Sequence, residues 1–188
     1  MAVPEVELAT LLRSADAASA QQRARLFAAL YDELHSMAQR ELRRNRAAAL
    51  SPTTLLHEAY LNISGRESAP FEDRAKFMAY ASRAMRGLLI DYLRNRQAQK
   101  RGGEFAITSL KTEVPEAPVD HEYSKLSDAL DQLAGVDPRL AECVDLKFFC
   151  GFSFLDIAAM RSVTERTVRR DWEKARILLH GMLDGDTP

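Results

Sequence analysis

The sequence is poor in the residues that build sheets, covalent staples and membrane spans. Among its 188 residues there are 2 cysteines, 8 glycines and 1 tryptophan, and aromatics make up 7%. Two cysteines exclude a disulfide-built scaffold. Cys143 and Cys150 lie on an apolar stretch and read as buried thiols, with no metal or redox site expected from them. Apolar stretches such as Leu146 to Leu155 are broken by Lys147, Gly151 and Ser153 and fall far short of the roughly 20 residues a membrane span requires. The start, Met1-Ala2-Val3-Pro4-Glu5, has no basic residue before an apolar run, so no secretory signal is read and the cytoplasm is the expected compartment. A net charge of −1 excludes a protein that coats DNA through bulk positive charge.

What is present is 46% hydrophobic and 28% charged residues, the composition of a chain that folds around a core. The length suits one ordinary domain or two small helical ones. Alternation of β-branched residues is missing and spacings of three and four dominate, so the expected class is all-α. The charge is uneven. Between Arg83 and Arg101 stand Arg83, Arg86, Arg94, Arg96, Lys100 and Arg101 against one acid, Asp91. A second basic set, Arg161, Arg166, Arg169, Arg170, Lys174 and Arg176, lies near the end. The stretch between them carries Glu104, Lys111, Glu113, Glu116, Asp120 and Glu122 interleaved with Pro115 and Pro118, and reads as an acidic flexible linker. The expected plan is a lead-in helix over 1–20, a helical module over 21–101, a linker over 102–123, a second helical module over 124–183 and a tail over 184–188.

Helix boundaries follow from caps and breakers. The first module predicts one helix from Arg25 to about Arg46, a second opening at Ser51-Pro52 and stopping near Ser64-Gly65, and a long third from about Arg74 to Gln99, ended by Gly102-Gly103. On the long helix Phe77, Ala81, Ala84, Met85, Leu88 and Tyr92 share one face, with Lys76, Arg83, Arg94 and Arg101 nearly opposite and Arg86 flanking them. A solvated surface usually mixes charge signs. Arginines without acidic partners repel one another unless something anionic, such as a phosphate backbone, neutralises them. Among the local aromatics, Phe77 and Tyr92 face inward, and Phe71, in the preceding loop, is the candidate for touching unstacked bases.

In the second module Leu126, Leu130 and Leu133 edge one helix and Asp137-Pro138 opens another. A helix from Ser153 to Met160, a turn Arg161-Ser162-Val163 and Thr164 as N-cap of a helix through Leu179 have helix-turn-helix spacing. Val168, Trp172, Ala175 and Leu179 gather on one side of the last helix. Arg166, Arg170 and Lys174 point away, with Arg169 at the margin, an arrangement suited to a major groove.

The segment Leu50-Ser-Pro-Thr-Thr-Leu-Leu-His-Glu-Ala-Tyr-Leu61, followed by Arg74 to Arg94 and Lys100-Arg-Gly-Gly103, resembles region two of bacterial extracytoplasmic-function sigma factors. Arg161 to Arg176, with Arg166-Thr-Val-Arg-Arg-Asp-Trp172 inside it, resembles their region four; Asp171 and Trp172 resemble a subset of the group. The resemblance implies a dissociable subunit that directs core RNA polymerase to promoters, with two helical domains on a linker. Carried over by position, Leu55, Leu56, His57, Glu58, Tyr60 and Leu61 would bind polymerase. Phe71, Lys76, Arg83, Arg86, Arg94 and Arg101 would engage and open the −10 element. Thr164, Arg166, Thr167, Arg169, Arg170 and Lys174 would read the −35 element. The acidic linker would lie in a path used by nascent RNA. The implied partners are core polymerase and promoter DNA, double-stranded and melted. An anti-sigma protein using the same surfaces stays open, and a monomer is expected.

No enzyme is expected. His35 and His57 sit in no ligand spacing and no Gly-rich phosphate loop occurs, so neither a metal nor a cofactor is read. The rival reading is a helix-turn-helix regulator that binds an operator by itself; the basic face of the long helix argues against it, because a sensing domain has no use for Lys76, Arg83, Arg94 and Arg101 on one side. A linker of about 22 residues reaches at most ~75 Å, enough for one chain to address two sites two helical turns apart.

Overall fold

Five helix starts obey their caps, among them Asp73, which accepts from Lys76 N at 2.8 Å ahead of Arg74. In the computed structural model, which describes residues 20–45, 50–64, 71, 73–102 and 119–185, Ser51 Oγ accepts from Thr54 N at 3.0 Å ahead of Pro52. Asp137 accepts from Arg139 N at 3.0 Å ahead of Pro138. Ser153 and Asp156 form a reciprocal capping box, and Thr164 Oγ1 accepts from Thr167 N at 3.2 Å. Each cap satisfies amides that the first helical turn leaves without partners, which fixes where the helix begins.

The elements are α1 (Ala20–Ala29), α2 (Tyr31–Arg44), α3 (Pro52–Ser64), α4 (Arg74–Gly102), α5 (Val119–Val136), α6 (Pro138–Val144), a π-helical turn (Asp145–Phe149), α7 (Phe154–Met160) and α8 (Glu165–Asp184). No strand occurs among the described residues, as the all-α expectation requires. The single helix expected from Arg25 is divided at Leu30. Leu30 N still bonds Leu26 O and Leu34 N bonds Leu30 O, so the junction bends the chain without ending the helical ladder. The expected lead-in helix and most of the expected linker lie outside the described residues. α5 begins at Val119, four residues ahead of Tyr123.

α4 is the centre of the packing. It contacts α2 and α3 on one side and α5, α6, the π turn and α7 on the other. Phe77, Ala81 and Met85 are buried as expected. So are Ala75, Met78, Ser82, Arg86, Leu89 and Leu93, which fall within about 80° of arc beside the first stripe at 100° per residue. A helix with two adjacent buried stripes is flanked from two directions, and the buried residues of both halves form one continuous apolar cluster. Within the second half α6 and α5 pack on α8, and α7 packs on it through Phe154 and Trp172, whose rings meet edge to face at 6.3 Å.

Candidate nucleic-acid and polymerase interface

The α7–α8 pair is joined by four residues, Arg161 to Thr164. Met160 ends α7, Ser162 takes a positive φ of 52°, and Thr164 caps α8. Val168, Asp171, Ala175 and Leu179 are buried, and Trp172 is half-buried. Arg166, Arg169, Arg170 and Lys174 are exposed along the opposite side, with Thr164 exposed and Thr167 half-buried at the N-terminal end. Arg169 is paired with Glu165 at i,i+4 and lies over the Phe154 ring at 4.7 Å. Arg161 belongs to the inside: its side chain is 8% exposed, 3.3 Å from Asp171 and 3.4 Å from Glu142. Burial pushes the Glu142 carboxyl above its ordinary range, with Arg161 opposing the shift.

The basic side of α4 is arranged differently from the sequence expectation. Lys76, Arg83 and Arg94 are exposed, whereas Arg86 is 1% exposed. Arg86 Nη1 donates to Asp145 Oδ1 at 2.8 Å and its Nε to Ser127 Oγ at 3.2 Å, while the guanidinium lies 4.7 Å from the Phe149 ring centre. In this conformation Arg86 therefore reaches no solvent, because a long side chain one position off the apolar stripe was captured by the second half. Arg83 Nε lies 3.7 Å from Asp145 Oδ2, and Arg94 donates to Ser124 Oγ at 2.8 Å. The side chain of Arg101 lies outside the described residues. Phe71 is half-buried in an aromatic group with Phe77, at 5.1 Å, and Tyr80, at 5.3 Å.

On α3, Leu55 and Leu56 are core residues, 1% and 4% exposed, so in this conformation they support the helix rather than offer it to a partner. His57, Glu58 and Leu61 are exposed, and Tyr60 packs edge-on against Phe27 at 4.7 Å. His35 stacks on Tyr31. Among the described residues no group of histidine, cysteine and carboxylate side chains stands ready to hold a metal. Both cysteines are free and buried; burial pushes the Cys143 thiol up to about 11 and the Cys150 thiol well above its ordinary value.

Sequence reasoning missed the acids and carbonyls that face these arginines. Glu41, 1% exposed, accepts from the Tyr123 hydroxyl and is 2.7 Å from Arg44 Nη1; burial raises its carboxyl against both. Burial also raises Asp145, with Arg86 opposing. Arg40 donates to the carbonyls of Phe149, at 3.3 Å, and Cys150, and Arg44 to that of Phe148 at 3.0 Å. These carbonyls end the π turn, where a helix lacks internal donors, so α2 caps it from the other half of the chain. The signal available in the sequence was the second stripe on α4, Ala75, Met78, Leu89 and Leu93, which demands a second packing partner.

Among the described residues, a capped two-helix unit presents a basic side and packs with a long helix that carries a second basic set. The family model for ECF sigma factors matches residues 5–185. The chain belongs to this family of transcription factors, which act in transcription initiation with core RNA polymerase at promoter DNA. No curated protein and no solved structure matches it. No helix among the described residues is long and apolar enough to cross a membrane.

Proposed function

We propose that this chain directs core polymerase to bipartite promoters, with α8 reading the −35 element and α4, with the segment before it, engaging and opening the −10 element. The observation that carries the reading is the exposed row Arg166, Arg170 and Lys174 on a helix whose start is fixed by Thr164 and whose opposite side is anchored by Val168, Ala175 and Leu179. A rigid scaffold with arginines at the N-terminal half of a helix suits major-groove recognition. Lys76, Arg83 and Arg94 supply a second phosphate-facing set on α4. His57, Glu58 and Leu61 form the exposed part of the α3 polymerase-binding face, with Leu55 and Leu56 beneath it. The stretch between α4 and α5, 103–118, tethers the two halves, and the active form is one chain per polymerase, acting in the cytoplasm.

The test is transcription in vitro from a pool of promoter sequences with purified bacterial core polymerase, with and without the protein. The expected outcome is initiation from a shared two-part motif only when the protein is present. Specific duplex binding by the protein alone, with no added initiation, would replace this reading by that of an operator-binding regulator.

A further inference from the structure

The two halves are fastened together through residues that promoter binding needs free. Asp145 holds Arg86 at 2.8 Å and Arg83 at 3.7 Å, and Ser124 holds Arg94 at 2.8 Å. On α2, Arg40 and Arg44 cap the π turn, and Glu41 accepts from Tyr123. Each of these contacts joins a residue before 103 to one after 118. Three of the arginines on α4 are thus engaged by the half of the chain that carries α8.

This arrangement conflicts with work at a bipartite site. A compact body of this length has a radius of gyration of about 16 Å and is about 42 Å across. Elements two helical turns apart, at roughly 34–36 Å per turn, lie about 70 Å apart. With α4 and α8 sharing one core, one chain does not reach both. The junction must open.

We infer that this conformation is a self-inhibited state, latched by Asp145 on Arg86 and Arg83 and by Tyr123 on Glu41, in which the second half buries Arg86 and engages Arg83 and Arg94 of the DNA-facing set on α4. The inference rests on the reading of α4 as a DNA-binding element. The chemistry of the latch suits release. A buried ion pair adds little net stability yet is geometrically exacting, and the carboxylate of Asp145 is replaceable on a guanidinium by a phosphate oxygen. DNA phosphates therefore compete directly for Arg86 and Arg83, and polymerase binding to the first half adds to the opening.

The full chain carries its own reporters. Cys150 Sγ is buried at the junction, 3.7 Å from the carbonyl of Met78 on α4, while Cys143 Sγ is buried inside the second half, 3.8 Å from the carbonyl of Val168. Exchange with a small disulfide reagent, resolved by peptide mass, is expected to find both thiols protected in the wild type. In Asp145→Asn and in Tyr123→Phe, Cys150 is expected to react at least about tenfold faster while Cys143 keeps its rate, as local opening of the junction requires. Affinity for random-sequence duplex DNA without polymerase should rise at least about fivefold in the same variants.

Wild-type Cys150 reacting as fast as in denaturant would overturn the closed state. An unchanged Cys150 rate in both variants would overturn the latch, and a faster rate with no gain in DNA affinity would overturn the masking. If Asp145→Asn releases both thiols together by unfolding the second half, Tyr123→Phe, which removes one hydroxyl, decides. Absence of core-dependent initiation sinks the sigma reading separately and leaves the thiol rates to judge the closed state.

Discussion

Arg161 and Asp171 face each other beneath the α7–α8 turn, with Nη2 to Oδ2 at 3.3 Å and side chains 8% and 0% exposed. Arg139, from α6, approaches the other Asp171 oxygen at 3.5 Å. A residue counted by sequence among the basic set thus ties the turn to α8, and the acid in the Arg-Arg-Asp-Trp run is what holds it. Asp171→Ala leaves Arg161 without this partner in a buried position. The expected cost is about 3 kcal/mol of stability, read from urea unfolding, because a buried charge that loses its counter-ion is strongly unfavourable. An unchanged midpoint would show that Glu142 alone suffices for Arg161.

Gly151 sits at φ +76°, and a Cβ there would meet Arg40 Cζ at 3.0 Å. Gly151→Ala therefore meets both a backbone penalty and displacement of the arginine that caps the π turn. A loss of about 2 kcal/mol in thermal or urea melts is expected, from the left-handed conformation and one weakened charged hydrogen bond.

Trp172 is half-buried, packed edge to face on Phe154. Full burial, as the sequence spacing suggests, implies a loss of about 3–5 kcal/mol on truncation. With the indole partly in solvent, Trp172→Ala is expected to cost about 2 kcal/mol and to leave the second half folded, checked by far-ultraviolet circular dichroism at increasing temperature.

Arg170 and Lys174 are exposed on α8. Their alanine variants are expected to melt within about 0.5 kcal/mol of the wild type. Initiation at the cognate promoter should fall by the equivalent of ~1–3 kcal/mol if the side chain reads a base, or uniformly across sequences with a shallower salt dependence if it grips phosphate. Unaltered initiation in both variants would remove them from the DNA-binding set.

Cys143 has its thiol pushed up to about 11 by burial, with Arg161 opposing. A raised acid pKa means that the folded protein holds the proton more tightly than the unfolded chain. The associated stability is fully present below the ordinary thiol pKa near 9 and is lost as pH rises from there through about 11. Comparing urea melts at neutral and alkaline pH, the wild type should lose about 2 kcal/mol more than Cys143→Ala, because the raised Cys150 thiol contributes to the alkaline loss of both.

Much of the second half was legible. Asp137-Pro138, Ser153 with Asp156, and Thr164 start helices at the positions their side chains dictate, since a cap acts on amides two or three residues away. The exposed basic side of α8 was equally readable, because a 3.6-residue period sorts one helix into faces without knowledge of its neighbours. The same rule set Arg86 beside the basic face and did not foresee its burial against Asp145: it gives the direction of a side chain and not what stands opposite.

The sequence by itself determined the helical class, most helix starts and the two basic sets, all of them properties of contacts within a few residues. Only the tertiary structure decided that Arg86 meets Asp145, 59 positions away, and that Glu41 meets Tyr123, 82 positions away. Such pairs are chosen by how two apolar surfaces fit once the chain has closed on itself. No local pattern records that fit, because the entropy of bringing distant segments together depends little on the identity of the residues between them.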